Sequence, residues 1–434
     1  MITEIIEKIK KLYRKGLFDI IGSGLLNKTF FFVGNIFAVR FLSKSEYGAF
    51  GYADSIMAFI ITLNGLGITN GVLQFCCESD DETHKRKYEK YGLFWGLIIS
   101  LAFSAFCILY SLFGYFSINA SRTVFLVYSL YPTTYYLFTY YCVILRCYDK
   151  NKQYAKIRNI NAFIYATCEI VGTYFINEIA IVIALYMATI ISSYLGYKYI
   201  ESCHKGYENE NKIEFDNLSL KLENSEKKEF LKYSIFTSFN QVVTNLVGFA
   251  DVLLIGTIIS NPKDVAVYKV ATVIPLALMF IPDSILMFFY PYFAKYKDDK
   301  KWIMESTKKL LIYSSMLNVI IVLFLIIIAP YLITILWGKK YITSVFPLRI
   351  LAINYFISAT FRYNIIYIMN ALRKVKTVLI VNIISGALDI LLNYILISKY
   401  GSFGAAFATL FTMAFTTIIL VPVFIKTIKK NRYT

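Results

Sequence analysis

The chain has 434 residues, 57% hydrophobic and 17% aromatic, with a formal net charge of +17. Its basic residues are spread between long apolar blocks, which reads as membrane topology and attraction to anionic lipid and argues against nucleic-acid binding. Seven cysteines, none in a stretch predicted to be external, exclude a disulfide framework.

Residues 1–16 are basic and amphipathic, with Ile5, Ile6, Ile9 and Leu12 spaced for a helix on the inner membrane surface. The first apolar block has no small-residue cleavage site after it, so no signal peptide is expected. Twelve apolar blocks follow at about 17–41, 48–72, 92–115, 123–145, 159–176, 179–197, 233–258, 267–291, 311–336, 346–370, 377–398 and 403–425. Each approaches the ~20 residues that cross a bilayer core as a helix. Of 45 Lys and Arg, 34 lie at the termini and in every second gap, and seven lie in the other gaps. Cytoplasmic loops collect such charge, so the chain is expected in a bacterial cytoplasmic membrane with both termini and the even gaps on the cytoplasmic side. Residues 198–232 form the largest soluble piece, mixed in charge, and read as a cytoplasmic linker between the six-helix bundles 17–197 and 233–425; 426–434 is a basic tail.

No Walker A loop, G-x-S-x-G, H-E-x-x-H or paired-Cys metal motif occurs, so neither an enzyme nor a metal site is expected. Cys203-His204 lacks a second ligand pair, and the two histidines, His84 and His204, fall in cytoplasmic segments. Predicted external loops of about two to ten residues leave no room for the folded region of a sugar polymerase. The halves also repeat. Glu46 to Ile56 aligns with Asp264 to Ile274 at an offset of 218, and Lys150 to Ile160 with Arg373 to Ile383 at 223. Six spans per repeat make the repeats parallel, related by a pseudo-two-fold axis along the membrane normal, as in transporters that rock two halves around a central substrate.

The stretch Phe41 to Phe75 carries Leu42, Glu46-Tyr47-Gly48, Tyr52 and Leu66-Gly67. The second half carries Asp251 to Gly256, Val267-Tyr268, Asn393, Tyr400-Gly401 and Gly404 to Thr409. As an ordered set these motifs resemble the polysaccharide flippases of the multidrug/oligosaccharidyl-lipid/polysaccharide exporter superfamily. The resemblance implies an all-α integral membrane protein with twelve transmembrane helices in two six-helix bundles around a central cavity. It implies flipping of undecaprenyl-diphosphate-linked oligosaccharide for O-antigen or capsule, with a polysaccharide polymerase as a candidate partner and no cofactor. Twelve spans argue against the lipid II branch, which usually has fourteen. A multidrug efflux antiporter of the same superfamily is the alternative.

Charges at bilayer depth cost ~2.5–3.5 kcal/mol on insertion scales and mark cavities or ion pairs. Lys28 near the middle of block 1 and Arg362 in block 10 are the leading diphosphate contacts; Lys269 and Arg349 are candidates that could also snorkel. These cations favour an anionic substrate over a cationic drug. Asp54, Glu169, Asp251, Asp283 and Asp389 are candidates for a coupling-ion site or for ion pairs, serving a H+ or Na+ gradient or the membrane potential. Pro275 and Pro282 in block 8, and Gly65 and Gly67 in block 2, mark the expected gate helices. The tyrosines of block 4, Tyr128 to Tyr141, read as core and interface belt rather than sugar platforms.

Overall fold

A computed structural model describes residues 17–79, 81–211 and 222–430. The basic segment 1–16, the middle of the linker and the last four residues lie outside it. The described residues are helical and contain no strand. Every apolar block is helix: α1 Leu17–Phe41, α2 Lys44–Leu63 with Ile68–Glu78, α3 Glu82–Phe113, α4 Ala120–Tyr128 with Tyr131–Cys147, α5 Asn151–Phe175 and α6 Ile179–Asn211. The second series is α7 Asn224–Ile259, α8 Pro262–Leu278 with Phe280–Lys295, α9 Lys300–Trp337, α10 Val345–Ile357 with Tyr363–Ala371, α11 Val375–Tyr400 and α12 Ser402–Lys430.

Helix starts follow local chemistry. Asp81 accepts from the Thr83 amide at 3.2 Å to open α3, and Asp299 from the Trp302 amide at 2.9 Å to open α9. Asn261 accepts from the Lys263 amide at 3.1 Å, with Pro262 in the first turn of α8.

Burial runs opposite to that of a soluble protein. Along α3, Gly92, Gly96, Ser100, Ser104, Cys107 and Ser111 face inward at near four-residue spacing. Phe94, Leu101, Phe106, Leu109 and Phe113 on the same helix are more than half exposed. Large apolar side chains outward and small residues inward are what lipid as solvent selects, because close backbone approach replaces hydrophobic collapse. On α9, Ser314 and Asn318 are buried while Ile320, Ile327 and Ile335 are about two-thirds exposed.

Among the described residues, eight helices are long and apolar enough to cross a membrane unaided, and α7 passes as a ninth when its two bent parts are taken together. The other three blocks are helical but broken or more polar. α4 is split at Ser129–Leu130, and α5 carries Asn159, Asn161 and Glu169.

Packing groups the chain into two units: residues up to 42, 57–115 and 119–242, and residues 43–56, 116–118 and 243–434. The first half of α2 thus belongs to the unit built on α8 to α12, and the first half of α7 to the unit built on α1 and α3 to α6. In the first unit the core gathers Ile68, Val72, Tyr88, Tyr136, Tyr140 and Phe230. In the second it gathers Leu286, Phe293, Ile303, Met369, Leu420 and Phe424.

Candidate functional site

The densest buried polar cluster among the candidates lies in the second unit, where α7, α8, α11 and α12 meet. Asp251 on α7 accepts from the Tyr268 hydroxyl of α8, from Thr409 Oγ1 of α12 at 2.7 Å and from Asn393 Nδ2 of α11 at 2.8 Å. The same Asn393 amide donates to Asp389 at 3.0 Å, so one amide group bridges two carboxylates. All five side chains are buried. Among the described residues no salt bridge reaches either acid. Asp251, Tyr268, Asn393 and Thr409 all fall in the sequence motifs quoted above, and their separation along the chain hides that they form one site. Packing around it needs Gly256, since a Cβ there would overlap the Tyr52 ring, and Tyr52 is a motif residue as well.

A second feature sits on α10. Residues Ser358–Arg362 form a single π-helical turn, a geometry concentrated at functional sites because it widens the backbone and redirects side chains. Buried amides hold it open. Asn364 Nδ2 donates to the Thr360 carbonyl at 2.7 Å and the Ala359 carbonyl at 3.2 Å, and Asn318 Nδ2 donates to Thr360 Oγ1 at 3.0 Å. Arg362 leaves this turn half-buried and donates Nη2 to Asn382 Oδ1 at 3.1 Å. Its buried Nε has no acceptor among the described residues.

The other cations are differently employed. Lys269 Nζ is 2.6 Å from Asp54 Oδ2 and lies over the Phe50 ring at 4.7 Å, so its charge is matched within the same unit. Arg349 Nε donates at 3.0 Å to the Ile326 carbonyl of α9. Pro330 of α9 lacks the N–H that would fill that carbonyl, so Arg349 satisfies a group that proline frees. At α8, Pro282 frees the Leu278 carbonyl, and the Tyr355 hydroxyl lies 3.4 Å from it and 3.2 Å from Asn318 Oδ1, two acceptors for its single proton. Pro282 stands in the first turn after the Met279 break, and Pro275 lies inside the segment before it. Asp283 follows in that turn, half-buried.

In the first unit, Lys28 is exposed on α1. Glu169 is 2% exposed on α5 and faces α1 at Gly34. Gly65, Leu66 and Gly67 have φ of 65°, 46° and 73° and break α2 with a 3-10 turn. Both histidines, expected in loops, instead lie on helices that outrun their apolar blocks. His84 on α3 is 2.9 Å from Glu226, and His204 on α6 is 3.3 Å from Glu89.

A family model described as polysaccharide biosynthesis protein matches residues 37–346, more than half of the chain. The chain belongs to that family. Among solved structures, it is similar to a multidrug resistance MATE family transporter of the MOP superfamily in an inward-facing conformation. Identity is 12% and the TM-score 0.73, covering 94% of this chain and 96% of that one. It is also similar to the lipid II flippase MurJ in an inward closed conformation, at 16% identity and TM-score 0.74 over 93% and 87%. A third likeness is to a MOP superfamily transporter from Pyrococcus furiosus whose description reports a binding pocket of reverse polarity, at 12% and 0.64 over 98% and 97%. No curated protein sequence matches. These likenesses establish the fold, that of MOP-superfamily transporters with twelve helices in two bundles. This member of the polysaccharide biosynthesis family is therefore a multi-pass membrane protein of transporter fold.

Proposed function

We propose that the chain is a flippase that moves undecaprenyl-diphosphate-linked oligosaccharide from the cytoplasmic to the outer leaflet, supplying O-antigen or capsule synthesis. The family match supports a role in polysaccharide synthesis. The observation that carries the anionic substrate is Arg362: a permanent cation on a π-turn at bilayer depth, with a buried donor unfilled among the described residues. A guanidinium grips a diphosphate through two parallel hydrogen bonds. Lys28, exposed on α1 in the first unit, is a separate candidate point-charge contact for the anionic substrate. Lys269 and Arg349 act as structural groups in this reading, held by Asp54 and by the Ile326 carbonyl.

Asp251 and Asp389 serve as the coupling-ion site. Two carboxylates bridged by one amide, with no salt bridge among the described residues, carry an excess negative charge in a low-dielectric setting. A proton or Na+ relieves that excess. Its binding and release would bias the helices that contribute the ligands. The broken helices α2, at Gly65 and Gly67, and α8, at Pro275 and Pro282, are the gate.

A second reading, a multidrug efflux antiporter, is favoured by the equal structural likeness to a MATE transporter. Proteoliposomes loaded with a diphosphate-linked oligosaccharide lipid separate the two. Protein-dependent movement of the lipid headgroup is expected, abolished by Lys28→Ala or Arg362→Ala at normal protein levels and partly kept by Lys28→Arg. Undiminished movement in both alanine variants, or efflux of cationic dyes without lipid movement, would overturn the flippase reading.

A further inference from the structure

α1 and α5 leave between them a cavity of about 430 Å3 that includes Phe30, Lys152, Lys156, Asn159, Ile160 and Phe163. It lies in the first unit, apart from Arg362 and the Asp251 cluster. Lys152 and Lys156 are one helical turn apart. Both are exposed, and neither has an ion pair among the described residues. Asn159 is oriented by its neighbours on α1. Asn27 Nδ2 donates to the Ser23 carbonyl at 2.6 Å, which fixes Asn27 as donor, and the same group donates to Asn159 Oδ1 at 3.0 Å. Ser23 Oγ donates to Asn159 Oδ1 as well, at 2.7 Å. The carbonyl of Asn159 is therefore committed to α1, and its NH2 group is left for the cavity. The polar groups offered there are two ammonium groups and an amide donor, with no side-chain acceptor, a set that suits an anion. The rest of the lining is apolar. Phe30 and Phe163 meet edge to face at 5.6 Å, and Phe163 is 55% exposed. From Lys152 to Phe163 the helix rises ~16 Å, which carries the cavity from headgroup level to the first part of the hydrocarbon layer.

We propose that this cavity binds the phosphate and proximal acyl chain of an anionic phospholipid of the phosphatidylglycerol type. The lysine-rich end of α5 places it in the inner leaflet by the positive-inside rule. An apolar floor beside an all-donor rim matches a lipid phosphate better than a soluble one. Bulk phospholipid is in large excess in the bilayer, so mass action fills a site of even modest affinity. The bound lipid wedges α1 against α5 at Phe30 and Phe163. This inference goes beyond the transport reading, because occupancy is read on the resting protein whatever substrate is carried.

The test is native mass spectrometry of the full-length protein in detergent, titrated with phosphatidylglycerol or phosphatidylcholine. A first phosphatidylglycerol adduct that phosphatidylcholine does not reproduce is expected. Lys152→Gln with Lys156→Gln weakens it about tenfold, or ~1.4 kcal/mol. Lys152→Arg with Lys156→Arg keeps it. Lys297→Gln with Lys301→Gln, which removes the same charge elsewhere, leaves it unchanged, and Lys156→Glu alone weakens it at least as much as the glutamine pair. Equal affinity in the two glutamine pairs would reduce the site to diffuse surface charge. Displacement by inorganic phosphate would make it a free-anion site, and displacement by equimolar undecaprenyl diphosphate would make it a substrate site. Each of these three results overturns the proposal.

Discussion

Arg349 illustrates how a charged side chain inside a membrane protein can be mistaken for a ligand contact. Its Nε is spent on the Ile326 carbonyl, four residues before Pro330. An unfilled buried carbonyl costs about 1–3 kcal/mol, and polar contacts between membrane helices measure nearer ~0.6 kcal/mol because the reference state also finds partners. Arg349→Ala should therefore lower stability by roughly 1 kcal/mol. In a Pro330→Ala background the alanine N–H fills the carbonyl, so the same Arg349 substitution should cost about half as much or less. Thermal unfolding in detergent of the four proteins of this cycle measures the coupling. Strict additivity would mean that Arg349 does something other than repair the proline break. Arg362, thirteen residues later, has the opposite character: a widened backbone turn, one amide partner, and a donor still unfilled among the described residues.

At the scale of elements, the break in α2 is set by backbone geometry that only glycine accepts at low cost. Gly67 has φ of 73°, and a Cβ on it would run into the Ser234 carbonyl of α7. Substitution there pays twice, once for the left-handed backbone, about 1 kcal/mol or more, and once for the collision. Gly24 on α1 has nothing within 4 Å of its would-be Cβ, and alanine is the better helix former by about 0.5–1 kcal/mol. Gly67→Ala should lower the melting temperature by several degrees (roughly 2–4 °C per kcal/mol for large domains), while Gly24→Ala leaves it level or raises it. A Gly67→Ala protein as stable as its parent would show that the 3-10 turn is dispensable. Proline breaks behave differently. At Pro330 the freed carbonyl finds a side-chain donor on another helix, which is how a bilayer tolerates helix breakers.

At the scale of the molecule, the strongest sequence-based expectation is orientation. Lys and Arg cluster in every second gap between the apolar blocks and at the termini, 34 of 45 in all, and the intervening gaps join helix ends by a few residues, as at Ser260–Asn261 and Gly401. A reporter fused after Asn261 or Gly338 should be found outside the cell, and one after Gln153 or Arg373 inside. Enzyme-reporter activity at each fusion decides it, and inversion at any two sites would refute the helix count on which the orientation depends.

Much of this architecture was legible in the sequence because lipid imposes a length rule. Apolar stretches of about twenty residues must be helical, since no water satisfies their backbone groups. All twelve expected blocks are helical, and the block ends agree within a few residues where Gly114, Gly338 or Gly401 marks the C-terminus. The Asp81 and Asp299 caps, by contrast, start α3 at Glu82 and α9 at Lys300, well before the apolar stretches at 92 and 311. Helix extensions beyond the apolar blocks, such as α6 through Asn211, carry no apolar signal, so from sequence they are indistinguishable from linker. Tertiary structure alone decided partners. Hydropathy cannot tell that the first half of α2 packs with one unit and the first half of α7 with the other. Nor can it tell that Lys269 is matched by Asp54, 215 residues away, or that Asp251 and Asp389 share one asparagine. Span composition is a local property fixed by the solvent around each helix. The pairing of buried polar groups is a long-range one, set by which helix faces close against each other to leave no donor or acceptor stranded.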